Sequence, residues 1–321
     1  MTAAGFDSQV GYAVESPSGT YTAPTRALEH VKSTLKSVRP PIISKGIKPG
    51  RRHQGRSAKG LEVVAGTITH ELSPINTGML FKQGMGAVST SGAGPYTHVF
   101  TPGALVETQT LTVQVGTPSE NGTVNPFNFT GCQINGFTIT SKTGEVVMID
   151  LDFIGQHMQN TGDGDSVSAL VAATYSSTWA PFTCLHGVLS VNGSAYEFDD
   201  CTIKVANNLK TGRYTHRSTT PSQAKVAKES GWRDFTAVVN SDFWDLTAMA
   251  RSFAGTEVAF SLVFTNGANT LTIAGNVRTA VDTPVVTGPD NVKQGLAFDF
   301  VSLTSDAAAF TATLVNTDTL P

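Results

Sequence analysis

The sequence predicts a mainly β fold made of two tandem modules that share one plan, and three observations support this prediction. Charged residues make up only 15% of the 321 residues, against roughly 25% in typical globular chains. Segments in which β-branched or aromatic residues alternate with polar ones recur along the chain. Turn pairs such as Asn135-Gly136, Asn192-Gly193 and Asn266-Gly267 suit hairpins, because Asn and Gly tolerate positive φ. We therefore expect antiparallel sheets.

Two short segments interrupt the strands and are predicted as helices. The first, residues 76–86, places Met79, Leu80 and Phe81 against a core. The second, residues 243–255, follows the capping pair Ser241-Asp242 and stops at Gly255. Its apolar side chains recur at helical spacing, and we interpret them as core packing: Phe243, Trp244, Leu246, Met249, Ala250 and Phe253.

The order strand, basic loop, strand, helix, strands occurs twice along the chain. Gly60 and Gly231, 171 positions apart, each open the strand that precedes a predicted helix. A run rich in Gly, Ser and Asp at 159–177 marks the boundary between the two copies of this plan. We place the first module at 1–160 with a basic loop at 39–59, a linker at 161–180, and the second module at 181–321 with a basic loop at 208–230.

The net charge of −3 hides a strong segregation of charge. Residues 30–60 contain nine Lys and Arg and no Asp or Glu, while residues 204–233 contain seven basic residues and one acidic residue. Most other charges are acidic. Such blocks often bind nucleic acid, but stacking on single strands needs aromatic residues, and the two segments offer only Tyr214 and Trp232. Basic loops that meet an acidic surface on another copy fit the pattern better.

The motifs that usually carry catalysis or metal binding are not found in the sequence. Asp163 and Asp165 resemble part of a calcium loop, but the remaining ligands are missing, so we interpret them as a solvated linker. No HExxH, GxSxG or P-loop pattern occurs. No apolar run is long enough to span a membrane, and the first residues do not form a signal peptide. We expect a soluble, non-enzymatic protein without cofactor, metal or membrane partner.

Four segments give the chain its resemblance to a known family: GYAVESPSGTYTAPTRALE at 11–29, IISKGIKPGRR at 42–52, GLEVVAGTITHEL at 60–72 and WRDFTAVVNSDFWDLTAMA at 232–250. With them the chain resembles the tail tube proteins, or major tail proteins, of bacteriophages with long non-contractile tails. The resemblance implies a β-sandwich or barrel module with one flanking helix. It also implies that inner sheets of neighbouring subunits join into a ring, that rings stack, and that an extended loop reaches the next ring.

The resemblance further implies where such a protein works and what it meets. The expected location is the virion tail, after assembly in the host cytoplasm. The expected partners are other copies of the chain, a tape measure protein, and the tail terminator and distal tail proteins. DNA is expected to pass through an acidic lumen without specific binding, because a negative wall repels phosphate.

Both basic loops match the family's inter-ring loop by position. We therefore predict inter-ring contacts for their cations: Lys45, Lys48, Arg51, Arg52, Arg56, Lys59, Lys210, Arg213, Arg217, Lys225 and Lys228. Acidic residues on or beside the later strands are predicted to face the lumen: Glu145, Asp150, Asp152, Asp199 and Asp299.

Two questions stay open on the sequence alone. If both modules are tube modules, three chains form a ring with pseudo-sixfold symmetry; if one module is decorative, the ring needs six chains. The leading hypothesis for function is a structural virion protein that self-assembles into the conduit for DNA ejection. The alternatives are a carbohydrate-binding or adhesin-like double β-sandwich that decorates the virion, and an enzyme on a β scaffold.

Overall fold

The computed structural model describes residues 4–176, 180–215, 223–286, 288–302 and 304–319. It is mainly β, as predicted. The strands that precede the predicted linker are β1 (Gln9–Val14), β2 (Arg26–Leu28), β3 (His30–Ser33), β4 (Lys36–Val38), β5 (Ile42–Ile43), β6 (Ser57–Ala58), β7 (Val63–Glu71), β8 (Gly86–Ser91), β9 (Tyr96–Pro102), β10 (Leu111–Pro118), β11 (Val124–Lys142), β12 (Met148–Gly155) and β13 (His157–Met158).

The strands that follow it are β14 (Gly187–Val191), β15 (Ser194–Tyr196), β16 (Asp200–Ala206), β17 (Leu209–Lys210), β18 (Lys228–Glu229), β19 (Asp234–Asp242), β20 (Glu257–Asn266), β21 (Asn269–Val281), β22 (Lys293–Phe300) and β23 (Thr311–Asn316). The α-helices are α1 (Gly78–Met85), α2 (Thr247–Ala254) and α3 (Asp306–Ala309). Single 3₁₀ turns lie at Gly5–Asp7, Thr161–Asp163 and Cys184–His186. Within the described ranges, none of the helices has the length and apolarity needed to cross a membrane.

One antiparallel sheet, which we call the central sheet, runs through both halves of the chain. Its strand order is β3/β4, β7, β12, β11, β16, β19, β22, β21. Strands β3 and β4 both pair with β7 and act as one interrupted strand. The two halves meet where residues 136–142 of β11 pair with β16. The sheet is therefore continuous across the boundary predicted from the sequence.

Each half adds an outer sheet, and the long strands β11 and β21 belong to both layers. In the first half the order is β2, β1, β10, β11, β13. In the second half it is β15, β14, β20, β21, β23, to which the β8–β9 hairpin of the first half adds at β23. Each half is thus a two-layer β structure.

The shared plan predicted from the sequence is visible strand by strand. Both halves contribute four central strands in the same order, and β19 begins at residue 234, which is 171 positions after the start of β7 at residue 63. Both of these strands have nine residues, and α1 and α2 have eight residues each. The β8–β9 hairpin is an insertion in the first half. The module boundaries at 160 and 181 stay a prediction, because strands of the two halves pair with each other.

Aromatic residues fill the space between the layers. In the first half, the Phe81 ring on α1 lies 5.7 Å from the Phe100 ring and 5.4 Å from the Phe137 ring, measured between centroids. In the second half, Phe260 packs against Phe298 and Phe300 at 5.4 Å and 5.2 Å. All six rings are buried, so alternation along the strands places one apolar face of each layer towards the other.

The second helix departs from the prediction. Ser241 and Asp242 end β19 instead of capping a helix, and α2 begins only at Thr247, whose N–H donates to Asp245 Oδ1 at 2.8 Å. The core interpretation was wrong for four of its apolar residues. Trp244 (85%), Leu246 (66%) and Phe253 (82%) are largely exposed, and Ala250 is exposed as well. The reason is that α2 packs mainly against β21, whereas α1 lies between β11 and the β8–β9 hairpin.

Candidate assembly surfaces

The first basic loop, residues 39–59, projects from the molecule, and we call it the first arm. Residues 41–59 are all exposed, and β5 and β6 form a two-stranded ribbon near its base. Gly and Pro residues with few buried neighbours explain why the arm does not fold onto the body. Five predicted contact residues lie along it without an ion pair to the described part of the chain: Lys45, Lys48, Arg51, Arg52 and Arg56.

The root of the first arm is held by a buried network of charges. Arg39 Nη2 donates to Glu62 Oε2 at 2.6 Å and Arg39 Nη1 to Asp163 Oδ1 at 2.7 Å. Lys59, the last predicted contact residue of the arm, also pairs with Asp163. His157 bridges the two sides of the network, with Nδ1 2.7 Å from Glu62 Oε2 and Nε2 2.8 Å from an Asp165 carboxylate oxygen. The network ties the arm to the predicted linker.

Both ring nitrogens of His157 face carboxylates, which accept hydrogen bonds but donate none. The ring therefore carries both N–H groups. Burial by itself lowers the pKa of His157, but the hydrogen bonds and charges of Glu62 and Asp165 outweigh burial and raise it. Burial opposes ionisation of Glu62, yet hydrogen bonds from His157 and Ser37 lower the pKa of its carboxyl to about 2. The pair is a charged imidazolium and a carboxylate.

This network corrects the interpretation of Asp163 and Asp165 as a solvated linker. Possible ligand atoms of Glu62, His157 and Asp163 lie within 4.8 Å of one another, but Arg39 and the His157 ring already occupy the carboxylate oxygens. We assign the cluster to ion pairing and not to metal binding. Sequence reasoning missed it because Glu62 lies 95 positions from His157 and Arg39 lies 124 positions from Asp163, and local spacing carries no signal for such contacts.

The second basic loop, residues 208–230, behaves differently, and we call it the second arm. It begins with a ribbon of β17 and β18 and then lies against the first half of its own chain. Leu209 N donates to Asn135 Oδ1 at 2.9 Å, and Arg213 and Lys228 pair with Glu107 at 3.4 Å and 3.7 Å. Two of its cations are thus already paired within the chain.

The remaining predicted contact residues of the second arm vary in placement. Lys210 is exposed and Lys225 is half-buried, while Arg217 lies outside the described residues. Further along the arm, Tyr214 donates its hydroxyl hydrogen to the Glu62 carbonyl, and Ala224 accepts from Gln156 Nε2 at 3.2 Å. The inter-ring role of these cations stays a prediction, and the first arm is the freer of the two.

The second half also closes over helix α1. Asn207 Nδ2 donates to the carbonyls of Gly84 and Ile134, both at 2.9 Å. Arg233 donates to the carbonyls of Met85 at 3.0 Å and Gly103 at 2.6 Å. The last carbonyls of a helix lack partners within the helix. Asn207 therefore satisfies the Gly84 carbonyl, and Arg233 adds a second donor to the Met85 carbonyl, which also accepts from Gly103 N at 2.8 Å. The base of the second arm is therefore an integral part of the surface that covers α1.

Three of the predicted lumen residues share one face of the central sheet, the face that points away from the buried layer. Asp150 and Asp152 accept hydrogen bonds from the hydroxyls of Thr69 and Thr67. The register from Asp150 through Thr138, Lys204 and Thr236 to Asp299 places Asp299 on the same face, because residues directly opposite each other in a sheet point the same way.

The charge of this face is mixed. Lys204 and Arg278 lie on it with the aspartates, and Arg278 pairs with Glu257 at 3.1 Å. The other two predicted lumen residues lie off the face: Glu145 is exposed in the turn between β11 and β12, and Asp199 precedes β16, where it pairs with Lys293 at 2.5 Å. The register identifies the shared face, which sequence spacing alone did not.

Both ends of the central sheet have unpaired edges within the described structure. At one end, β3 and β4 pair only with β7, and Val31 and Val38 are exposed. At the other end, pairing between β20 and β21 stops at Arg278, and the chain beyond β21 exposes Val285 and Val286. Unpaired strand edges are sites at which another strand can add.

The chain is mainly β, and its two similar halves are joined edge to edge. It also carries further open edges and a projecting charged arm. These are the features of a structural subunit. A family model of phage tail tube proteins matches residues 5–301, and the chain belongs to that family. A search of curated proteins finds no match. The family makes the protein a component of the virion tail with a structural and not an enzymatic role, and the resemblance stated from the sequence is confirmed.

Proposed function

We propose that this protein assembles into rings that stack into the tail tube, the conduit for DNA ejection. The single observation that carries the proposal is the junction between the two halves of the chain. One side of β11 pairs first with β10 and then, from Gly136 onwards, with β16. That junction joins two sets of four strands into one sheet, and it is a template for joining one copy to the next.

The far end of the sheet repeats this template with one strand missing. The equivalent side of β21 pairs with β20 as far as Arg278. Beyond it residues 279–281 pair with β22 on the other side only, and this side has no partner in the described structure. The strand equivalent to β16 in the first half is β3/β4, whose outer edge is unpaired. Pairing of residues 280–286 with β3/β4 of a second copy reproduces the internal junction and removes both open edges.

Three copies per ring follow from the same repeat. Each chain supplies two sets of four strands in the same order, so three chains supply six equivalent sets. The alternative, six chains with one tube module and one decorative domain each, requires the two halves to have different roles. The continuous central sheet supports equal roles, because both sets lie in one layer with the same face outward.

Stacking is assigned to the first arm. Its five exposed cations from Lys45 to Arg56 reach beyond the sheet and have no ion pair within the described part of their own chain, so an acidic rim on the next ring attracts them. The outward face of the central sheet is assigned to the lumen. Its three aspartates and its threonines lie there together with the exposed Lys204 and the paired Arg278, and the aspartates oppose the salt-dependent binding of phosphate that Lys and Arg contacts produce.

The remaining partners follow from the family. We propose that the tube forms around a tape measure protein, ends at tail terminator and distal tail proteins, and is assembled in the host cytoplasm. These partners meet the ends or the lumen of the tube, whereas the copies of the chain meet each other along the sheet edges.

The edge pairing is tested by adding charge to one edge. Val31→Lys with Val38→Lys places two cations on the unpaired strand β3/β4, and charge on an edge opposes strand addition. We expect a folded subunit that forms neither rings nor tubes in negative-stain microscopy. Val188→Lys, at an exposed valine of β14, which pairs on both sides, is the matched control and leaves assembly intact. Tubes formed by the double variant at wild-type yield contradict the proposed edge.

A further inference from the structure

The segment that contains helix α2 exposes three large apolar side chains. Leu246, just before the helix, and Phe253, near its end, lie on one face, and Trp244 precedes them in the same segment. Only Ala248 of the helix is buried, whereas six of the eight residues of α1 are buried. The two helices hold equivalent places in the repeat, so the difference lies in what covers them.

The cover of α1 includes the base of the second arm. Asn207 and Arg233 bind the carbonyls at the end of α1, and Leu209 on β17 lines a small cavity together with Lys82 and Gln83 of the helix. Glu229 on β18 accepts from Leu105 N at 3.2 Å, which fixes the ribbon beside the loop that follows β9. A two-stranded ribbon at the root of a basic arm therefore lies next to a helix of the other half.

The first arm has the same kind of ribbon, but no other segment of the described ranges covers it. Strands β5 and β6 stand at its base as β17 and β18 stand at the base of the second arm. Ile42 and Ile43 on β5 and Ile47 just beyond it are all exposed, although isoleucine is among the residues most often buried. The chain thus has two exposed apolar surfaces: the ribbon β5–β6 and the outer face of α2.

We propose that the ribbon β5–β6 of one copy binds the exposed face of α2 of the next copy in the same ring, with Ile42 and Ile43 against Leu246 and Phe253. This inference rests on the proposed ring, since β3/β4 must pair with the end of β21 to bring the ribbon to α2. The junction inside the chain supports it. There β16 pairs with β11, α1 packs against β11, and the chain leaving β16 reaches α1. In the proposed ring, β3/β4 takes the place of β16, β21 that of β11, and α2 that of α1.

The contact divides the first arm into two parts with different partners. Its apolar root binds sideways within a ring, and its basic tip, including Arg51, Arg52 and Arg56, remains free for the next ring. Apolar burial at the root and charge pairing at the tip respond oppositely to salt, because salt screens charges but leaves apolar contacts in place or strengthens them. High salt is therefore expected to separate rings before it separates subunits.

Disulfide trapping tests the contact directly. In a full-length chain with Cys184→Ser, the pair Ile43→Cys and Phe253→Cys is oxidised under conditions in which the wild-type chain forms tubes. We expect a ladder of covalent oligomers that ends at the ring size. The matched control replaces Phe253→Cys by Asn121→Cys, an exposed site in the β10–β11 turn, and gives no ladder.

The outcomes separate this inference from the proposed function. Suppose that the wild-type chain forms tubes but the Ile43–Phe253 pair gives no ladder, or only a cross-link within one chain. The ribbon contact is then wrong, and the proposed tube is unaffected. If the wild-type chain forms no rings, the proposed function itself fails. Phe253→Ser provides a second measurement, because removing an exposed ring leaves the fold intact: we expect at least a tenfold rise in the concentration needed for ring formation, and an unchanged concentration overturns the contact.

Discussion

The Glu62–His157 pair shows how single residues fix the position of the first arm. Glu62 has 1% of its side chain exposed and receives hydrogen bonds from Arg39, Ser37, the Met158 N–H and His157. A buried carboxylate is tolerated only when such partners replace water. Arg39 is the first residue of the arm and Glu62 lies just after it. The ion pair between these two side chains therefore closes the base of the loop and leaves the tip free.

The stability of the subunit should depend on pH through this pair. The pKa of His157 is raised, so its contribution is complete below about 6.5, the unfolded value, and is lost as the pH rises through the folded pKa. The pKa of Glu62 is lowered to about 2, so its contribution is lost as the pH falls from about 4.5 towards that value. The pair therefore contributes most between about pH 4.5 and 6.5.

His157→Gln removes the charge and one hydrogen bond from this network. In urea unfolding at pH 5.5 we expect a loss of about 2 kcal/mol, and a clearly smaller loss at an alkaline pH above the raised pKa of His157, where the wild-type ring is neutral. His53→Gln, an exposed histidine of the first arm, is the control and changes neither value. An equal loss at both pH values contradicts the charged form of His157.

At the scale of elements, the two arms differ in what they contact, although their sequences are similarly basic. The second arm pairs Arg213 and Lys228 with Glu107 and buries Leu209, Ala224 and Ala227. Residues 41–59 of the first arm are exposed throughout. The difference arises because the second arm follows a junction inside the chain, whereas the first arm follows an open edge.

Limited trypsin digestion measures this difference. In the isolated subunit we expect rapid cleavage at Arg51, Arg52 and Arg56 and slower cleavage at Arg213, because a protease needs a locally extended chain that few contacts oppose. In assembled tubes the first arm should be protected by at least tenfold. Equal cleavage of the first arm in subunits and tubes contradicts its role as an assembly contact.

The sequence allowed much of the fold to be predicted, because alternation and turn pairs are local signals. The 171-residue offset between Gly60 and Gly231 also appears between β7 and β19. The outward face of α2 could not be predicted, because Leu246 and Phe253 have the spacing of core residues and periodicity does not say which layer covers a helix. The Glu62–His157 network joins residues far apart in sequence, and only the folded chain brings them together.

At the scale of the whole molecule, segregated charge gives the subunit a direction. The nine cations of residues 30–60 meet no acidic residue within that segment, while most other charges of the chain are acidic. An interface between unlike faces repeats without limit along an axis, whereas edge-to-edge pairing around the axis closes. In the proposed tube, ring formation through sheet edges and ring stacking through charge are therefore two separate associations of one chain.

Charge reversal in the tip separates these two associations. Replacing Arg51, Arg52 and Arg56 by Glu should abolish tubes while leaving folded subunits that still form single rings, because the three residues make no described contact to their own sheet. Negative-stain microscopy and sedimentation distinguish rings from tubes. Lys142→Glu, at the exposed last residue of β11, is the control and preserves tubes. Full-length tubes from the triple variant contradict stacking by the first arm.

The edge-to-edge closure of the central sheet is tested by a cryo-electron microscopy reconstruction of the assembled particle. We expect three chains per ring, with residues 280–286 of each chain hydrogen-bonded to β3/β4 of the next. We also expect the face of Asp150 and Asp299 to line the channel. A ring whose central sheets stop at each chain's own edges, with β3/β4 unpaired in the particle, contradicts it.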